Sequence, residues 1–111
     1  MNTNRDPREI ADTILVRSPC LVQVGACIVS RKGNAISWGW NSCGASGFGE
    51  HAEASSIRRC NKRRLAGSTI YVAGMWRRGK LVTSKPCPAC ARLIAKWGLR
   101  VVYRDCLGRW N

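Results

Sequence analysis

Apolar and polar positions alternate along this chain in short, distinct periods. Residues 6–17, DPREIADTILVR, open on Asp-Pro and carry Ile10, Ile14 and Val16 as a partial apolar stripe, which predicts a helix. Residues 21–30 alternate and then run apolar, as a buried strand does. RKGN (31–34) reads as a turn and AISWGWN (35–41) as its hairpin partner. Trp38 and Trp40, two apart, face one side of that partner, and at least one is expected in the core. A Gly/Ser-rich loop (42–50) leads into a predicted helix over 51–64, ended by Gly67. A strand over 68–76, a turn at 77–80 and an extended arm at 81–84 follow. Residues 87–98 predict a helix, with Pro86 starting it, Leu93, Ile94 and Trp97 on its apolar side and Gly98 at its end. Residues 99–105 predict a last strand. The order αββαβαβ, with apolar late strands each after a helix, implies an α/β fold whose sheet is covered on both faces.

At 111 residues the chain is expected to form a single compact domain, 1–111. Its apolar runs fall short of the roughly 20 residues of a membrane span. The acidic start lacks the apolar core of a signal peptide, so a soluble, cytoplasmic protein without a membrane partner is expected. The seven cysteines are odd in number and argue against a disulfide framework. Cys27 reads as a small core residue. Cys20, Cys60 and Cys106 lack ligand-like neighbours.

The net charge of +13 is unevenly spread: residues 54–111 hold fourteen Lys and Arg against Asp105 alone. Such a surface favours polyanions, nucleic acid first and an anionic membrane second. The cluster Arg58, Arg59, Lys62, Arg63, Arg64 has a plainer reading, because cations at a helix C-terminus complement its dipole.

Two short motifs carry the chemistry, His51-Ala52-Glu53 and Pro86-Cys87-Pro88-Ala89-Cys90, each at a predicted helix start. Cys87 and Cys90, three apart, share a helix face. Their thiolates would lie at a positive helix end, which favours metal binding. With His51 they make three N/S ligands for zinc and leave a fourth position for water, the pattern of a catalytic site. Glu53 then suits general acid/base work beside that water. Two rivals stand beside this reading. A redox dithiol leaves His51 and Glu53 unexplained. A structural zinc module, a nucleic-acid-binding non-enzyme, needs a fourth ligand that Cys43 could supply.

His-x-Glu followed by Pro-Cys-x-x-Cys is the signature of zinc deaminases, and over about residues 20–104 the chain resembles the cytidine deaminase superfamily. The stretch from Ser68 through Cys90 to Ile94 is similar to small deaminases of phage and bacterial genomes. The resemblance implies a three-layer α/β/α sandwich around a mixed four- or five-stranded sheet. It implies one catalytic zinc on His51, Cys87 and Cys90, with Glu53 as proton shuttle in the hydrolysis of cytosine to uracil. It also implies substrate contacts from the Asn41 side chain, the Ala52 N–H and the Lys85 carbonyl. Many members continue with a further helix and strand. Here only residues 106–111 remain, so the sheet has four strands or the tail adds a short fifth, and an exposed edge there would favour self-association, leaving monomer and homo-oligomer both open.

The basic balance makes single-stranded DNA or RNA the leading substrate, DNA first. Trp40, Tyr103 and Arg104 are then candidates for base contacts and Arg77, Arg78 and Lys80 for phosphate contacts. The alternatives are a free cytidine or deoxycytidine nucleotide and adenosine in transfer RNA.

Overall fold

The structure, a computed structural model, describes residues 6–43 and 49–111. Asp6 caps the first helix, α1 (Pro7–Ile14), by accepting from the Arg8 amide, with Pro7 in the first turn. Strands β1 (Val22–Val29) and β2 (Ala35–Trp40) form the predicted antiparallel hairpin, with a register shift between Ile28 and Val29. Helix α2 (Ala52–Arg59) is followed by β3 (Thr69–Trp76), β4 (Leu81–Val82), α3 (Pro88–Lys96) and β5 (Arg100–Tyr103). The turn and loop predictions hold where they can be read; residues 44–48, inside the predicted loop, lie outside the described residues.

The sheet is mixed. β1 lies between β2 and β3, antiparallel to both. The far side of β3 is shared: β5 runs parallel along its first half and β4 antiparallel along its second. Alternation along β1 and β3 fills two cores. Ala26, Ile28, Ile70 and Val72 pack with Ile57 of α2 and Ile94 of α3. Cys27, Val29 and Ala73 pack on the opposite face with Ala11 of α1. This is the three-layer α/β/α sandwich the sequence implied. Two glycines bring the layers close: a Cβ on Gly25 would sit 2.2 Å from the Ala11 carbonyl oxygen, and one on Gly39 2.7 Å from the Ser56 nitrogen.

Neither Trp38 nor Trp40 joins the core: both are half-buried, while Ser37 and Gly39 are the buried positions of β2. Four further expectations need correction. Helix α2 stops at Arg59, not at residue 64. Cys60 turns extended, and the Lys62 ammonium donates to the Ile57, Arg58 and Cys60 carbonyls, so 62–64 is a separate short turn. The fifth strand comes from Leu81–Val82, not from the tail; the tail folds back so that Arg104 bridges Trp110 and Tyr103 exchanges backbone bonds with Asn111. Pro88, not Pro86, is the first residue of α3, with Cys87 as its cap. The fourth concerns sulfur. Cys20, just before β1, and Cys43, after β2, meet at the open end of the hairpin and form a disulfide. No helix among the described residues is long and apolar enough to cross a membrane.

Candidate active site

The two helix starts meet at one end of the sheet. His51 is the N-cap residue of α2 and Cys87 that of α3, both with extended backbone. Cys90 lies one turn into α3 and is buried. The ligand atoms of His51, Cys87 and Cys90 all lie within 4.8 Å of one another. His51 Nδ1 is 3.2 Å from Cys90 Sγ and 3.6 Å from Cys87 Sγ. A tetrahedral zinc with ordinary Zn–N and Zn–S lengths separates its N and S donors by about 3.6 Å. The residues therefore fit a zinc ion in spacing and donor type, with one coordination position left open. Without metal, burial pushes the Cys90 thiol up to about 12, helped by the negative charges of Glu53 and Cys87, so metal binding must displace that proton.

A cavity of about 220 Å³ opens beside these ligands. Val22, Val24 and Val82 supply apolar wall, and His51, Ala52, Glu53, Asn41, Lys85 and Cys87 supply polar groups. Glu53 is 5% exposed and lies in the first turn of α2. Burial raises its carboxyl above the usual range, against lowering by its own backbone amide and by His51. Residues 9–105 match the family model described as the cytidine and deoxycytidylate deaminase zinc-binding region.

The chain belongs to this family of zinc-dependent deaminases. It is 43% identical over 54 residues to the deoxycytidylate deaminase of Mycobacterium phage D29, a match covering 48% of this chain and 34% of that one. The chain thus spans about a third of that curated relative's length. Its fold is similar to a cytidine deaminase from Burkholderia pseudomallei, with TM-score 0.74, 22% identity and coverage of 95% of this chain and 87% of the other. It is also similar to the dCMP deaminase of cyanophage S-TIM5 in its apo form, with TM-score 0.70, 25% identity and coverage of 89% and 79%.

Against this deaminase family site, the expected residues divide. Asn41, Ala52 and Lys85 line the cavity with His51, Glu53 and Cys87. Asn41 is also a latch between strands: its side chain accepts from the Val24 amide at 2.8 Å and donates to the Val22 carbonyl at 2.9 Å. The residues expected to grip a polynucleotide do not gather there. Arg104 is buried, ion-paired to Asp12 at 2.6 Å and bonded to the Gly74 carbonyl. Tyr103 packs against the α2/α3 core. Trp40 is outside the cavity, half-buried with the Arg59 and Arg17 guanidinium carbons 4.3 and 5.3 Å from its ring centre. Arg77 donates to the Pro19 carbonyl. Arg78 and Lys80 lie exposed on the turn after β3. Cys43 is no fourth ligand, because its sulfur is bonded to Cys20.

Two supports of the site were not anticipated. Arg58 donates twice to the Glu50 carboxylate, at 2.8 Å each, and Ser42 bonds Glu50 through the backbone, which fixes the approach to His51. Ser84 donates its hydroxyl toward the Val72 and Arg104 carbonyls and holds the segment before Cys87 on β3. The eight-residue spacing of Glu50 and Arg58 was the available signal for the first, and the second had none.

Proposed function

We propose that the chain hydrolyses cytosine to uracil and ammonia in free cytidine-class nucleotides, with deoxycytidylate as the leading substrate. What carries this reading is that the buried carboxyl of Glu53 and the ligands His51 and Cys87 line one cavity, roofed by small apolar side chains. The two phage relatives are deoxycytidylate deaminases by name, and the bacterial one a cytidine deaminase. The polynucleotide reading, which rested on charge and on aromatic and basic residues near loops, loses support because Arg104, Arg77 and Trp40 are engaged elsewhere.

Zinc held by His51, Cys87 and Cys90 supplies Lewis-acid activation of water near neutral pH. Glu53 moves the protons: its carboxylate accepts one at the attacking water, delivers it to the ring nitrogen N3, and serves the departing amine. The Ala52 amide, a first-turn N–H without an intrahelical acceptor, donates to the pyrimidine carbonyl. The Lys85 carbonyl accepts from the exocyclic amine. The second Nδ2 hydrogen of Asn41 is available to the sugar. Val22, Val24 and Val82 give the cavity apolar wall, which lowers the local dielectric and strengthens these polar contacts.

The test offers the zinc-loaded protein deoxycytidylate, cytidine and a cytosine-bearing single-stranded oligonucleotide side by side. Uracil product is expected from the free nucleotide, with turnover reduced about 10²–10⁴-fold by Glu53→Gln at unchanged zinc content. Deamination confined to the oligonucleotide would overturn the assignment.

A further inference from the structure

β1 runs from the cavity toward the opposite pole of the sheet, and β3 returns from that pole to the cavity. At the far pole Arg31, Lys32, Arg63 and Arg64 line a cleft of about 300 Å³ together with Ser30 and Ser68. The four cations come from two separate turns, the β1–β2 hairpin and the short turn after α2. All four are exposed.

Charge accounting makes this cleft unusual. The chain has six Asp and Glu, all of them among the described residues. Asp6, Glu50, Asp12 and Asp105 are paired to Arg8, Arg58, Arg104 and Arg109. Glu53 is buried in the catalytic cavity, and Glu9, exposed on α1, makes no ion pair among the described residues. Among the described residues no carboxylate pairs with any of the four cleft cations. The plain reading of the basic run after α2, complementing the helix dipole, is met by one residue: Lys62 takes the three terminal carbonyls. Arg58 is spent on Glu50 and Arg59 on Trp40. Among the described residues the Arg63 and Arg64 guanidinium groups have no partner.

The cleft is also shaped. Gly67 has φ +79, and a Cβ there would sit 2.5 Å from Arg31 Nε. The missing side chain lets the Arg31 guanidinium lie over the backbone that joins the Arg63–Arg64 turn to β3, which draws the two basic turns together. Four cations held together without counter-charge repel one another, and an anion spanning them relieves that repulsion. Among the described residues no aromatic lines the cleft, so it offers charge for phosphates and no platform for bases.

We propose that this cleft docks the phosphate backbone of nucleic acid, independently of sequence, at the pole opposite the catalytic cavity. It works by counterion release. It is independent of the substrate reading, and it gives the basic excess of the chain a location that the active site does not.

The test uses a labelled oligothymidylate, which contains no cytosine and cannot be a substrate, with binding read by fluorescence anisotropy from 50 to 200 mM NaCl. The double variant Arg63→Ala/Arg64→Ala is expected to bind about tenfold more weakly at 150 mM salt, with the slope of log affinity on log salt shallower by about 1.4. Arg31→Ala/Lys32→Ala should act alike. Arg78→Ala/Lys80→Ala removes the same charge at the catalytic pole and should stay within about twofold of the parent. Zinc content and far-ultraviolet circular dichroism report folding of each variant. Unchanged affinity and slope in Arg63→Ala/Arg64→Ala, or an equal loss in Arg78→Ala/Lys80→Ala, overturns the site. Inorganic tripolyphosphate displacing the oligonucleotide at a lower phosphate concentration than the oligonucleotide itself needs also overturns it, in favour of a small-anion pocket.

Discussion

The Glu53 carboxyl is a group whose position costs stability. Burial raises its pKa in the metal-free protein, so the folded state holds the proton to higher pH than the unfolded chain does. The sign follows: this group subtracts stability as pH rises from the unfolded carboxylate range through the raised folded value. Glu53→Gln, which carries no charge, is expected to stabilise the metal-free protein by about 0.5–2 kcal/mol at pH 7, with the gain shrinking toward pH 4. Urea unfolding at the two pH values checks it, and a destabilised variant at pH 7 would refute it. Cysteines give a second residue-scale contrast. Burial pushes the Cys27 thiol up to about 12, while Cys106 is exposed. At pH 8 Cys27 stays protonated and enclosed, so a disulfide reagent should modify Cys106 within minutes and reach Cys27 only on unfolding. Of the site, what was legible in the sequence was what short spacing encodes. His51 with Glu53, and Cys87 with Cys90, are each close in sequence and lie at the start of a helix. Arg104 misled because a cation near the chain end looks like a surface group, and its burial depends on Asp12, 92 residues away.

Among elements, strand β1 carries the most consequence. It sits between two strands, packs on both cores, and starts with Val22 and Val24 in the cavity wall. Its closeness to α1 depends on Gly25. Gly25→Ala would force the helix outward, because the added carbon meets the Ala11 carbonyl oxygen and the Leu15 nitrogen, backbone atoms that cannot turn away, as well as the Ile14 side chain. A loss of at least about 2 kcal/mol is expected, read as a lower urea midpoint at unchanged slope. A variant as stable as the parent would mean that α1 is not held where it is by that contact. The elements themselves were largely legible, since periods of two and 3.6 reach the surface of the sequence directly. Three of the misreadings turn on specific bonds. The end of α2 is decided by where the Lys62 ammonium bonds, the fifth strand by pairing of two residues with β3, and the Cys20–Cys43 bridge by closure of a hairpin. The bridge joins residues 23 apart, and the other two are short-range bonds that the periods of helix and strand do not register.

At the scale of the whole molecule, six carboxylates against nineteen Lys and Arg make each acid count. Asp12 joins α1 to the last turn of the chain through Arg104, whose side chain is 8% exposed and whose Nε has no partner. Asp12→Ala leaves that guanidinium buried without a counter-charge and is expected to cost about 3 kcal/mol, whereas Asp12→Ala/Arg104→Met should recover most of the loss. The same charge imbalance predicts a salt response of unusual sign for a folded domain. Self-repulsion at +13 opposes the compact state, and screening relieves it as the Debye length falls from about 10 Å at 0.1 M to 3 Å at 1 M. Raising sodium chloride from 0.05 to 0.5 M should therefore raise the melting temperature of the zinc-loaded protein, about 4–8 °C for each kcal/mol relieved. Oligothymidylate added at fixed salt should raise it further, because a polyanion that binds the folded cleft adds to screening. That extra increment, and not the chloride effect, should vanish in Arg63→Ala/Arg64→Ala. A melting temperature that falls with salt would mean that the four ion pairs outweigh the repulsion of the fifteen cations they leave unmatched.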